Sequence, residues 1–209
     1  MMSFDRTPVR SLLASFFAVI VFSALAVAQS APQQLDFSNV QIKNFGRMDE
    51  RFYRGAEPKN LADFEALKAL GINTVVDLQA KPEPSERGMV ESLGMHYVNI
   101  PMVEKTYPRA EHVEAFLKLV DAPSTGKFFV HCAGGRHRTG VMGAVYRFSH
   151  YGWNYEQVYS EMKQFDFYTR FGHGDFKKFV EDYWTQVQTE GTTAHAAFAH
   201  AAQARHATH

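Results

Sequence analysis

The only thiol in a chain of 209 residues, Cys132, stands inside the run His131-Cys132-Ala133-Gly134-Gly135-Arg136-His137-Arg138-Thr139-Gly140. Before it, Lys127–His131 has the length and apolar character of a buried strand; after it, Thr139–His150 has the apolar spacing of a buried helix. A loop between a strand end and a helix start gathers unpaired backbone N–H groups at the positive end of the helix, and so attracts anions. Gly134 and Gly135 let the backbone turn its amides inward as a nest, and Arg138 offers a planar fork for two phosphate oxygens. Thiols ordinarily titrate at about 8.5 and lose their proton more readily beside cations and helix N-termini, so Cys132 is expected to act as a thiolate facing phosphorus. Thr139 follows the arginine directly, where its hydroxyl can reach the sulfur and ease departure of the thiolate when a thiophosphate is hydrolysed. A lone cysteine at a strand end is often simple apolar filler, but that explains neither the paired glycines nor Arg136, His137 and Arg138.

Elements must hold this loop in place. From Phe37 onward short β-branched runs alternate with helical stretches, which predicts an α/β domain with a mostly parallel central sheet flanked by helices. Expected strands are Arg51–Arg54, Ile72–Leu78, His96–Pro101 and Lys127–His131. Expected helices are Leu61–Leu70 with Asn60 as N-cap and Gly71 as stop, a short one ending at Leu93, Arg109–Val120, Thr139–His150, Tyr155–Phe165 and Asp175–Val187. Met102–Pro108 is an irregular loop, because Pro108 disfavours helix at the residue before it.

The two ends read differently. Arg6 and Arg10 precede an uncharged run from Ser11 to Ala28 that closes on Ala24, Ala26 and Ala28, the pattern of a secretory signal peptide cut after Ala28. That predicts a secreted or periplasmic protein with no stable membrane association after cleavage; the competing reading is an uncleaved anchor. Residues 29–43 form an N-terminal lead, residues 44–188 the domain, and residues 189–209 an Ala/His-rich tail without aliphatic periodicity, expected to be disordered. Balanced charge, 22 Lys+Arg against 22 Asp+Glu, argues against a nucleic-acid partner. One cysteine excludes an internal disulfide framework and a Cys-rich zinc module.

The loop fits H-C-x5-R-[ST]-G and resembles that of the cysteine-dependent protein-tyrosine and dual-specificity phosphatases. It is most similar to the plant and fungal atypical dual-specificity branch, H-C-x-R-G-K-H-R-T-G, with Gly134 in place of the first arginine and Arg136 in place of the lysine. Asn44-Phe45-Gly46, Tyr53-Arg54-Gly55 and Pro58 are similar to the N-F-G … [FY]-R-S … P opening of that branch. The resemblance implies the compact dual-specificity-phosphatase-like fold, no cofactor and no metal, with a phosphorylated protein or a small phosphorylated molecule as partner. Carried over by position, it implies Cys132 as nucleophile, Arg138 on the phosphoryl oxygens, the backbone of Ala133, Gly134, Gly135, Arg136, His137 and Arg138 as their cradle, Thr139 assisting the second step, and His131 fixing the loop through hydrogen bonds. His137 either contacts substrate or adds positive potential.

One family feature is missing. The resemblance calls for an aspartate acid about thirty residues before the cysteine, yet no aspartate lies between Asp77 and Asp121. Glu104, in the Met102–Pro108 loop, is the expected substitute, with His137 or Asp166 next in line and Asp77 a structural strand-end acid. Phosphotyrosine demands a deep cleft with an aromatic wall, whereas inositol polyphosphates and pyrophosphates demand several cations around a wider mouth. Arg54, Lys81, Arg87, Lys105 and Arg109 are the cations whose placement decides between them. A non-catalytic phosphate-binding module and a rhodanese-like sulfurtransferase are the remaining readings; the latter does not need the Arg138-Thr139 pair.

Overall fold

A computed structural model describes residues 37–190. The signal segment over residues 1–28 and most of the tail lie outside the described residues. β-branched and aromatic runs build a five-stranded sheet from β1 (Gly46–Arg47), β2 (Phe52–Ala56), β3 (Ile72–Gln79), β4 (His96–Met102) and β5 (Lys127–Cys132), in the order β1-β2-β5-β3-β4. Only β1 runs antiparallel to its neighbour; the β2–β5, β5–β3 and β3–β4 pairs are all parallel. The mostly parallel sheet expected from the alternation is therefore present, with β5 at its centre.

Six α-helices cover the sheet: α1 (Leu61–Ala69), α2 (Glu86–Ser92), α3 (Ala110–Asp121), α4 (His137–Tyr146), α5 (Tyr155–Gln164) and α6 (Gly174–Glu190). Strand residues alternate between faces. Phe128 and Val130 of β5 join Phe52, Val76, Phe116, Val141, Phe176 and Phe179 in the larger core beneath α3, α4 and α6. Phe129 joins Tyr53, Val75, Phe64, Leu67 and Val90 in the smaller one beneath α1 and α2. By the same alternation His131 projects toward the α1/α2 side and Cys132 toward the α3/α4 side, where Cys132 belongs to the larger core. Ile42 is buried in the smaller core, with Phe37 and Val40 against it, so packing begins ahead of residue 44.

Local signals act as expected at several ends. The Asn60 side chain accepts from Asp63 N at 3.1 Å and starts α1, a cap that contributes about 1 kcal/mol. Asn154 and Gln157 form a reciprocal capping box at α5. Three differences matter. The helix expected from Thr139 to His150 begins two residues earlier, at His137, because the loop closes with Arg136 as its N-cap and Gly140 N donates to Arg136 O at 3.0 Å. Its last part, Arg147–Tyr151, is a π-turn. Finally, α6 continues to Glu190, past the expected tail boundary, with Thr189 Oγ1 donating to Thr185 O at 3.1 Å. Among the described residues no helix is long and apolar enough to cross a membrane.

Candidate active site

Cys132 is the last residue of β5, four residues before the N-cap of α4, and the loop between them wraps a cavity of about 120 Å³. Its lining is Glu104, Cys132, Ala133, Gly134, Arg136, His137, Arg138, Tyr168 and His173. All of the predicted nest except Gly135 therefore faces one space, together with the predicted acid. Gly135 does a different job. It sits at φ +64°, and a Cβ there would fall 2.3 Å from the Gly55 carbonyl carbon, so the loop apex rests directly on β2. A Cβ on Gly134 would meet only the Arg136 side chain at 3.7 Å, so of the two glycines only Gly135 is required by geometry.

Arg138 is buried and donates through Nη1 to Met102 O at 3.4 Å, which joins the first turn of α4 to the end of β4. Thr139 is fully buried, and its hydroxyl has no hydrogen-bond partner, Cys132 Sγ included. Placing that hydroxyl and Cys132 at one loop follows from α4 entering the core at its first turn.

His131 differs from its expected part. It makes no hydrogen bond to the loop; its Nε2 lies 2.7 Å from Glu86 Oε1 without the alignment of a hydrogen bond, and its Nδ1 is 3.9 Å from Asp77 Oδ1. The reason is alternation: His131 points to the face opposite Cys132, where the first turn of α2 presents Glu86. Asp77, Glu86 and His131 are all buried and close enough together to be considered as metal ligands. However, Asp77 already accepts from Gln79 N at 2.8 Å and Tyr97 OH at 3.0 Å, and Glu86 Oε1 lies 2.7 Å from His131 Nε2, so the three side chains pack on one another inside the fold. Asp77 does not line the Cys132 cavity.

His137 lies in the cavity lining. Burial, helped by neighbouring His173, pushes its pKa down to about 4, against the opposing effect of the Tyr168 carbonyl 3.0 Å from Nε2. That lowering disfavours a positive charge on His137. Its ring stacks on His173 at 3.6 Å between centroids, and His173 in turn reaches Glu104, Nε2 to Oε1, at 3.7 Å. His173, from the Gly172-His173-Gly174 turn, and Tyr168 were not singled out by sequence; nothing in the local pattern marks them, because they reach the cavity only through the fold of the segment between α5 and α6.

The remaining cations do not gather. Arg87 pairs with Glu91 and lies over Tyr97, Arg109 caps α3, and Lys81 and Lys105 are absent from the cavity lining. Asp166 contacts Arg136 Nε at 3.9 Å from outside the lining. Arg54 is fully buried behind the loop rather than at its mouth.

Comparison with known proteins points the same way. OCA1 of Mycosarcoma maydis is 29% identical over 135 residues, covering 58% of this chain and 79% of that one. The dual specificity protein phosphatase TpbA of Pseudomonas aeruginosa is 28% identical over 121 residues, covering 58% of this chain and 54% of its own length, so the match spans about half of that relative. The crystal structure of TpbA superposes with a TM-score of 0.58 at 27% identity over 72% of this chain and 88% of that one. The catalytic domain of the PP-IP phosphatase Siw14 of S. cerevisiae superposes with a TM-score of 0.59 at 20% identity over 75% and 94%, a likeness of fold. The family model described as "Swiss Army Knife protein, DSP-PTPase phosphatase domain" matches residues 49–201. With the sheet, the thiol-bearing loop and this match in agreement, the chain belongs to that DSP-PTPase phosphatase family and is a cysteine-dependent phosphatase.

Proposed function

We propose that the protein hydrolyses phosphate monoesters, phosphotyrosine foremost, through a phosphocysteine intermediate on Cys132, and that it does so outside the cytoplasm as a secreted or periplasmic enzyme. The observation that carries the substrate reading is the make-up of the cavity: one thiol, two arginines, an aromatic side wall from Tyr168 and a single carboxyl group, Glu104. In the first step the Cys132 sulfur forms a bond to phosphorus as the bond to the phenolic oxygen breaks, and Glu104 gives that oxygen its proton. Such donation is commonly worth about 10²- to 10⁴-fold. Arg138 and the inward amides hold the three equatorial oxygens. In the second step water attacks phosphorus, Glu104 takes the water's proton, and the bond from phosphorus to sulfur breaks to release the Cys132 thiolate and inorganic phosphate. The location rests on the Arg6 and Arg10 flank and the uncharged Ser11–Ala28 run.

A related structure of TpbA holds phosphotyrosine, which supports the choice of an aryl phosphate here. Inositol pyrophosphates, the alternative substrate class, call for more cations at the mouth than Arg136 and Arg138. The test is a panel of phosphotyrosine peptide, phosphoserine peptide, inositol hexakisphosphate and an inositol pyrophosphate at matched concentration. The highest kcat/KM should fall on the phosphotyrosine peptide; a preference for the inositol pyrophosphate would replace this reading with the alternative.

A further inference from the structure

Asn44 and Arg54 belong to the N-F-G and Y-R-G opening, and neither lines the Cys132 cavity. Both converge on one atom behind it. The Gly135 carbonyl oxygen accepts from Asn44 Nδ2 at 2.9 Å and from Arg54 Nη2 at 2.7 Å. Asn44 is itself held at φ +55°, and the same amide nitrogen donates to Phe165 O at 3.0 Å.

Arg54 is 1% exposed, its guanidinium carbon lies 4.0 Å from the centre of the Phe165 ring, and no carboxylate among the described residues is within ion-pair distance of it. Glycines of α4 leave it room, since a Cβ on Gly143 would stand 3.6 Å from Nη1 and one on Gly140 4.0 Å from Nη2. Burial pushes its pKa down to about 10, while the charges of Cys132 and Glu161 pull it back up. A buried cation without an ion-pair partner, close to the positive end of a helix, is costly to keep. Negative charge bound at the Cys132 loop would offset that cost.

A trans peptide is planar, so a carbonyl and the N–H that follows it point in opposite directions. Drawing the Gly135 carbonyl back toward Asn44 and Arg54 therefore turns the Arg136 N–H the other way. Without those two donors this peptide, flanked by a glycine free to rotate, could present its carbonyl oxygen to the bound anion and repel it. We propose that Asn44 and Arg54 are positioning residues: together they lock the Gly135–Arg136 peptide so that the Arg136 N–H donates to the substrate phosphate, with the Arg54 charge behind the loop balancing the dianion. This rests on the phosphate-hydrolysing reading given above.

Inorganic phosphate and vanadate are the probes, measured as competitive inhibitors of hydrolysis of a small aryl phosphate. Asn44→Asp, which puts an acceptor where the donor was, and Arg54→Met should each weaken inhibition by both oxyanions tenfold or more, and Arg54→Lys should recover part of the loss. Unchanged inhibition constants, even with a lowered melting temperature, would overturn the inference and leave the two residues as ordinary scaffold. A second measurement needs no variant: in the wild-type protein, phosphate titrated into a 15N-labelled sample should shift the Arg136 amide strongly, and an Arg136 amide that stays still while the loop neighbours move also overturns it. If the wild type binds neither oxyanion, the phosphatase reading itself fails; if it binds both while the variants match it, only the positioning inference fails.

Discussion

Glu104 Oε1 lies 3.7 Å from His173 Nε2, at the rim of the cavity that holds Cys132. The Glu104 side chain is 59% exposed and that of His173 is 5% exposed, so a buried ring faces an exposed carboxyl group. His173 is fixed by its stack on His137 and by the Arg170 carbonyl 3.0 Å from Nδ1. If Glu104 is the proton donor, Glu104→Gln should slow phosphotyrosine hydrolysis by about 10²- to 10⁴-fold. Aryl phosphates with very acidic phenols should be spared, because their leaving oxygens need no proton. His173→Phe keeps the stack and removes the nitrogen facing Glu104, so it should produce the same leaving-group dependence with a smaller loss. A Glu104→Gln rate profile parallel to wild type across leaving groups would remove Glu104 from the mechanism.

Protonation of His137 couples the site to stability. Its pKa in the fold, about 4, lies below the ordinary value of 6.5, chiefly because the ring is buried. Between those values the unfolded chain binds a proton that the native protein does not, so stability rises with pH through this window. The contribution is intact above pH 6.5 and is lost as pH falls toward 4. Thermal melts should show a steeper decline over that range in wild type than in His137→Gln, whose amide can still donate to Tyr168 O. Equal slopes in the two proteins would show that another group governs the acid limb.

The paired glycines should separate under substitution. Gly135→Ala forces a side chain into φ +64° and onto the Gly55 carbonyl. The left-handed conformation alone costs about 1–2 kcal/mol, and overpacking against rigid backbone adds about 1–3 kcal/mol. Gly134→Ala meets only a flexible side chain and should stay within about 0.5 kcal/mol. Urea midpoints compare them directly; equal destabilisation would mean that the loop does not rest on β2 as described.

These differences show what the sequence reveals and what it hides. Cys132, Arg138 and the flanking strand and helix are legible because the chemistry lies within one short run whose local periodicity changes. The mostly parallel sheet is legible from the alternation of β-branched and helical stretches. The start of α4 at His137 was not, because the chain reaches helical geometry while still supplying loop amides, and residue types alone do not mark that overlap. His131 could be seen beside the nucleophile, but its partner Glu86 comes from α2, on the other face of the sheet. Asn44 and Arg54 stood out as a motif, yet their shared acceptor, Gly135 O, lies 91 and 81 residues away in the chain. The two-residue strand β1 left no pattern long enough to read.

The central claim is that phosphate passes through the Cys132 sulfur. Acid quenching of wild-type protein during turnover of a phosphotyrosine peptide, followed by peptide mass spectrometry, tests it most directly. The account predicts one phosphoryl group on the peptide that contains Cys132. It also predicts that Cys132→Ser binds phosphate or vanadate, forms no adduct and loses essentially all turnover, since a serine hydroxyl stays protonated there. A phosphoryl group on any other residue, or turnover by Cys132→Ser near the wild-type rate, would contradict it.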